Sequence, residues 1–392
     1  MNPLCRVTKK DKESASIARY AFSISSIWPN DLKKPADQLW HYVEKHASET
    51  CESIRKSRWD QAAVSLCEVT VWWLSFVNKV TMKRAKNDFK SLITYIESDA
   101  DAIVWHKYPN FCPHCFGRKA FKAGLFDENN PSKIVLDDEN AKKIIEDLNQ
   151  NPKCTCLSEK IFVEKRPEDF KRFVSRNVSL YAEKNKKDMP KSMRDFVKMF
   201  ENIYGDSVEA QTIEQITFHL LEEVGEVSTT LTNLFRTEIK KLNTDEKVKS
   251  AIENRRDRVK AFAEELADVF SWINSLTLKI QRNLNCTRDL VDALFPKEKA
   301  AKILKETIGS TVTVNPIDLI WLRHNFNGDD LVCEWCHNSP CEGHPPEGST
   351  VQHYINEASK KGYIYINKAF TPKIKHVLEE GSKIYYYEKT TF

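Results

Sequence analysis

Residues Thr212–Leu231 read TIEQITFHLLEEVGEVSTTL. At about 100° per residue, Ile213, Ile216, Leu220, Val224 and Val227 fall on one stripe, so the stretch is an amphipathic helix with one face for a core. Glu223 and Glu226 lie on the edge of that stripe, half shielded from water, whereas Glu222 points to the far side. A second stretch, Phe262–Leu278, reads FAEELADVFSWINSLTL and repeats the arrangement. Its stripe is Phe262, Leu266, Val269, Phe270, Ile273 and Leu276, with Glu265, Asp268 and Trp272 along one flank. Packed side by side, the two helices present two carboxylate pairs across a shallow groove.

Four carboxylates so close repel one another in a partly dry site unless cations compensate them. Hard oxygen ligands at i, i+3 on facing helices suit Mg²⁺ or Mn²⁺, which bridge to substrate phosphates. A lone ExxE is common on any solvated helix face. Two such pairs, each on the edge of its apolar stripe, are more specific.

Glu222-Glu223-Val-Gly-Glu226 followed by Glu265-Leu-Ala-Asp268 resembles the EExxE…ExxD signature of the MazG-like all-α nucleotide pyrophosphohydrolases. The resemblance covers roughly residues 192–305. It implies a helical bundle in which Glu223, Glu226, Glu265 and Asp268 hold Mg²⁺ (or Mn²⁺). The implied substrate is a nucleoside triphosphate, cleaved between the α and β phosphates to monophosphate and pyrophosphate. Glu222 and Glu223 are the candidates for orienting the attacking water, and Trp272 and Phe235 for stacking on the base, although aromatics at helical spacing more commonly pack in a core. Related bundles commonly pair, which makes a homodimer an expected arrangement. Two features depart from the family: a charged segment, 232–260, lengthens the gap between the motifs, and where the family often has a Lys and an Asn-x-x-Arg-like set after the second helix only Lys297, Lys299 and Lys302 are found, which leaves the phosphate-binding side unassigned.

The amino-terminal part repeats the pattern in worn form. Helical segments are expected over Leu39–Arg55 and Trp59–Lys86. Setting Glu49 and Glu52 on Glu223 and Glu226, and Glu68 on Glu265, puts Val71 where Asp268 stands. A site lacking one of four ligands is weak or dead, so catalysis belongs to the second copy and the first buttresses it or senses, as one half of a tandem pseudo-dimer.

Seven of the 11 cysteines fall into two clusters. Cys112-Pro-His-Cys115 with Cys154-Thr-Cys156 fits a tetrahedral Cys₄ zinc site. A thioredoxin-type reading of the CPHC motif needs a βαβ setting that the sequence lacks, and leaves Cys154 and Cys156 without a purpose. Cys333-Glu-Trp-Cys336 with Cys341 and His344 fits a second structural zinc knuckle, with His337 as a substitute ligand, and is atypical of an iron–sulfur cluster. Both zinc units are expected to staple the chain, with nucleic acid or a protein partner as the further roles they allow.

Composition narrows the alternatives. With 60 basic and 56 acidic residues the net charge is +4, which implies no strong polyanion-binding field. Only 10 glycines argue against a glycine-rich nucleotide fold and for mostly helical structure. The apolar stretch around Val69–Val77 is far too short to span a bilayer and the first residues carry no apolar run after their charges, so no membrane association and a cytoplasmic location are expected.

The expected fold is therefore mainly α: a MazG-like bundle with small zinc-stapled irregular or β elements. Its parts are a degenerate helical half at 30–100, a zinc-binding insertion with one short helix at 105–165, a catalytic half at 166–308, and a zinc-knuckle region with a small sheet at 309–392. In the catalytic half, one helix is expected to end at Ile203, with a break over Tyr204–Ser207. The competing account is a non-catalytic module that senses a nucleotide or binds nucleic acid or a partner through the zinc elements.

Overall fold

The computed structural model describes residues 6–81, 99–130, 132–156, 168–235, 245–283, 315–324, 331–333, 339–341, 363–367 and 383–387. The chain is mainly helical, with eleven α-helices among the described residues. Two compact units divide it, Met1–Pro340 and Cys341–Phe392. Among the described residues no helix is long and apolar enough to cross a membrane.

Four helices make the centre of the first unit. Helices α2 (Ala36–Arg55) and α3 (Trp59–Thr81) are joined by three residues, with Ser57 at φ 53°, so they lie back to back as a hairpin. Helices α9 (Ile213–Phe235) and α10 (Asp245–Asn283) form a second hairpin. Helix α2 packs on α9, and α3 on α10. Every residue of the two apolar stripes, from Ile213 to Val227 and from Phe262 to Leu276, is buried.

Two tryptophans clamp the hairpins together. The Trp40 indole N–H is shared between the Ser228 hydroxyl at 2.9 Å and the Val224 carbonyl at 3.2 Å. The Trp73 indole N–H donates to the Leu266 carbonyl at 3.1 Å, and its ring stacks on Phe270 with centroids 4.8 Å apart. Buried indoles satisfied in this way bring large apolar area without an orphaned donor.

Around this centre sit α1 (Ile17–Ile27), α4 (Ala100–Lys107), α7 (Glu168–Lys184), α8 (Met193–Ala210) and α11 (Pro316–His324). Asp101 of α4 accepts from the Ile17 and Ala18 amides at 2.8 and 3.0 Å, satisfying two free N–H groups at the start of α1. The Trp105 indole N–H donates to the Ala182 carbonyl at 2.8 Å and fixes α4 to α7. The insertion holds two helices rather than one, α5 (Pro113–Lys122) and α6 (Glu139–Gln150). Helix α5 crosses α7 closely at Gly117, where an added Cβ would come within 2.6 Å of Val174 Cγ2.

The expected break at Tyr204–Ser207 is absent, and α8 runs on to Ala210. Ser207 and Val208 are buried, and that docking outweighs the weak helix propensity of Gly205. The chain turns at Gln211-Thr212 instead. Here the Thr212 amide donates to Gln215 Oε1 at 2.9 Å and the Gln215 amide to Thr212 Oγ1 at 3.3 Å, a reciprocal cap that starts α9.

In the second unit, β1 (Tyr363–Asn367) and β2 (Lys383–Tyr387) pair in parallel with Tyr363 opposite Lys383, forming a two-stranded sheet.

Candidate metal and catalytic site

The α9–α10 hairpin brings Glu223, Glu226 and Glu265 together: one carboxylate oxygen from each lies within 4.8 Å of the others. Glu226 is exposed, while Glu223 and Glu265 are half-buried. Burial, followed by the charges of Asp268, Glu265 and Glu226, pushes the Glu223 carboxyl up to about 9. Burial and Asp268 push Glu265 up to about 8, although Lys107 pulls the other way. Without a cation, burial and mutual repulsion favour the protonated form within this group. Carboxylate oxygens are donors that hard divalent cations accept, and a bound cation would relieve the repulsion among them.

Asp268 stands beside this group and is buried. Two side chains absent from the sequence reading hold it. Lys107, at the end of α4, places Nζ 3.1 Å from Asp268 Oδ2. Tyr108 donates its buried hydroxyl to Asp268 Oδ1. Burial alone would lower the Lys107 ammonium, but Asp268, Glu264 and Glu265 outweigh it and keep the group firmly charged. Lys260 adds a second cation nearby, 3.7 Å from Glu264 Oε1, and burial lowers its pKa.

Glu222 lies apart from the cluster. It is exposed and contacts His219 Nδ1 at 3.3 Å. The His219 ring stacks on Trp272 at 4.6 Å, and the Trp272 indole N–H donates to Glu223 Oε1 at 3.3 Å. Trp272 thus holds a cluster glutamate through its indole N–H. The side chain of Phe235 lies outside the described residues, as do Lys297, Lys299 and Lys302.

In the amino-terminal copy Glu49 bonds to His46 Nδ1 at 2.8 Å, Glu52 pairs with Lys56, and Glu68 is buried. Among the described residues these three form no converging group, whereas Glu223, Glu226 and Glu265 do.

The second cluster of ligand atoms is Cys112, Cys115, Cys154 and Cys156, whose four sulfurs lie within 4.8 Å of one another. Cys112 caps α5, whose first helical residue is Pro113, a residue suited to that position. The Cys154 amide donates to the Ile203 carbonyl of α8 at 2.7 Å, which docks the Cys154–Cys156 strip on that helix. Arg118 bonds to the Thr155 hydroxyl and carbonyl between the two cysteines. Hydrogen bonding among the four thiols pulls Cys115 and Cys154 down and pushes Cys156 up, while burial pushes Cys112 up. A Cys₄ group of this kind could bind a metal such as zinc.

Of the other predicted knuckle, Cys333 is buried and Cys341 half-buried, while Cys336, His337 and His344 lie outside the described residues. Comparison with protein-family models, with curated proteins and with solved structures found no match.

Proposed function

We propose that the α9–α10 site is a Mg²⁺-dependent nucleoside triphosphate pyrophosphohydrolase, in keeping with the MazG-like resemblance of its motifs. The observation that carries this reading is the convergence of Glu223, Glu226 and Glu265, with burial and mutual repulsion raising the pKa of Glu223 and Glu265. Glu223, Glu226, Glu265 and Asp268 would hold the ion, and Mn²⁺ would substitute. When bound, the ion supplies Lewis-acid polarisation of the phosphates and makes water a better nucleophile at neutral pH.

In the reaction the oxygen of water bonds to the α-phosphorus, the α–β anhydride bond breaks, and pyrophosphate leaves with its electron pair. A cluster glutamate accepts the proton of water, and Glu223, oriented by the Trp272 N–H, is the best placed. Lys107 neutralises Asp268 in the cation-free chain. With a cation on that carboxylate, Lys107 would be available to pair with a substrate phosphate, the role that the sequence leaves unassigned beyond Lys297, Lys299 and Lys302.

The amino-terminal hairpin supports the pseudo-dimer reading. When Glu68 is set on Glu265, Trp73 falls on Phe270, and these two equivalent positions stack on each other at 4.8 Å. Residues that meet their own equivalents mark a two-fold relation. The worn half then supplies the packing face a second subunit would otherwise provide, so a homodimer is not needed to complete the bundle. A cytoplasmic setting suits four reduced thiols at the cysteine cluster.

The alternative, a nucleotide-sensing or partner-binding module, draws on the Lys107–Asp268 pair, which compensates part of the acidic charge without a cation. Incubating the protein with a panel of ribo- and deoxynucleoside triphosphates and Mg²⁺ separates the two. Turnover lost in Glu223→Gln supports the enzyme, and binding without turnover supports the sensor.

A further inference from the structure

We propose that a zinc ion held by Cys112, Cys115, Cys154 and Cys156 positions Lys107 and Tyr108 on Asp268, so that the thiolate centre controls the geometry of the carboxylate site rather than only stapling the insertion. The inference rests on the reading above only for the function of the site it controls.

The sulfur geometry comes first. The sulfurs of Cys115 and Cys156 lie 3.5 Å apart, those of Cys112 and Cys156 3.8 Å, and those of Cys115 and Cys154 3.9 Å. Thiolates at the corners of a tetrahedron with Zn–S bonds of about 2.3 Å stand about 3.8 Å apart. Disulfide sulfurs would stand about 2 Å apart. The Cys156 amide also points at Cys154 Sγ at 3.5 Å, a contact that stabilises a thiolate rather than a thiol.

The path to the carboxylates is short. Only Pro109, Asn110 and Phe111 separate Tyr108 from Cys112. Asn110 sits at φ 65°, so the chain reverses there, and Phe111 is fully buried. Helix α8 backs both ends of the path. Its Ile203 holds Cys154, while Phe200 and Tyr204 meet the Tyr108 ring edge-on at 5.1 and 6.0 Å. The next residue back, Lys107, is the last of α4 and pairs with Asp268. Zinc bound to Cys112 and Cys115 on one side and to the α8-docked Cys154 and Cys156 on the other closes this path into a ring. Without zinc the ring is open at its thiolate corner, and the Lys107–Tyr108 end keeps α4 and the aromatic contacts to α8 but loses its tie through Cys112.

Hydrogen exchange on the full chain, zinc-loaded and zinc-stripped, tests this. The proposal expects amides 104–112 to exchange at least tenfold faster without zinc, while α2 and α3 keep their protection. Cys156→His, which leaves a Cys₃His set, should retain zinc and protection; Cys156→Ser should lose both. In the zinc-loaded chain Lys107→Met should change Mn²⁺ affinity, and in the stripped chain it should change it less than twofold, a coupling that a mere staple would not produce. Faster exchange confined to residues 113–156, global loss of protection, or purified protein that binds no zinc would each overturn the proposal. Failure of Mn²⁺ to bind the wild type at all would count against the hydrolase reading instead, and the exchange result would still decide this one.

Discussion

The Lys107 ammonium lies 3.1 Å from the Asp268 carboxylate, joining the last residue of a short helix to the fourth position of an acidic motif on a distant one. In the cation-free chain the lysine occupies electrostatically the place a metal would take. Lys107→Met should therefore tighten Mn²⁺ binding by about tenfold, since a competing positive charge is gone, while weakening nucleotide binding by a similar factor. Titration followed by electron paramagnetic resonance measures the first and calorimetry the second. Loss of both affinities would mean that Lys107 only supports the fold.

The same pair is largely buried, so breaking it from one side should cost more than removing it. Asp268→Asn leaves a shielded ammonium without its carboxylate and should lower stability by about 3 kcal/mol. Adding Lys107→Met to that variant should recover most of the loss. Denaturant melts of the two single variants and the double close the cycle; additive losses would show that the two residues do not act on each other.

Glu223 and Glu265 hold their protons up to about 9 and about 8 in the folded chain, against 4.5 ordinarily. The folded state thus binds more protons than the unfolded one across that interval, and stability falls as pH rises through it. Denaturation midpoints measured without divalent ions should drop from pH 5 to pH 9. Added Mg²⁺ should restore them most at the alkaline end, and its uptake near neutrality should release protons. A midpoint that rises with pH would contradict the clustering of these carboxyls.

Trp73 and Phe270 hold the two hairpins at their shared face. Trp73→Ala should destabilise the chain by about 4 kcal/mol through lost burial and a residual cavity. Gly117→Ala offers a milder test at the insertion, because its Cβ would meet Val174 Cγ2 at 2.6 Å. Overpacking there should cost about 1–3 kcal/mol. Thermal melts of both variants are sufficient, and a neutral Gly117→Ala would place α5 farther from α7.

How much of this was legible in the sequence follows from where periodic signals exist. The α9 and α10 stripes are long and regular, so their buried faces and the carboxylates beside them could be read directly. The convergence of the first cysteine cluster was legible from spacing, because two close cysteine pairs separated by an irregular loop can fold onto one point. Helix α4 was not: it is eight residues long and nearly buried all round, so it carries no amphipathic period. Lys107 and Tyr108 at its end reach Asp268 about 160 positions away, and nothing local announces such a contact. The end of α8 was misplaced because Gly205-Asp206-Ser207 has turn chemistry, yet tertiary docking of Ser207 and Val208 prevails. The reciprocal cap of Thr212 with Gln215 was the better signal. Glu222 matches the motif in sequence, but the helix turns it outward to His219.

The most direct test of the central claim is turnover of a nucleoside triphosphate with Mg²⁺ in ¹⁸O-labelled water, with the products resolved by mass. Attack at the α-phosphorus puts the label in the nucleoside monophosphate and leaves pyrophosphate unlabelled, and Glu223→Gln should abolish the reaction. Label in pyrophosphate, release of orthophosphate and nucleoside diphosphate, or no turnover of any nucleotide with Mg²⁺ or Mn²⁺ would contradict the account.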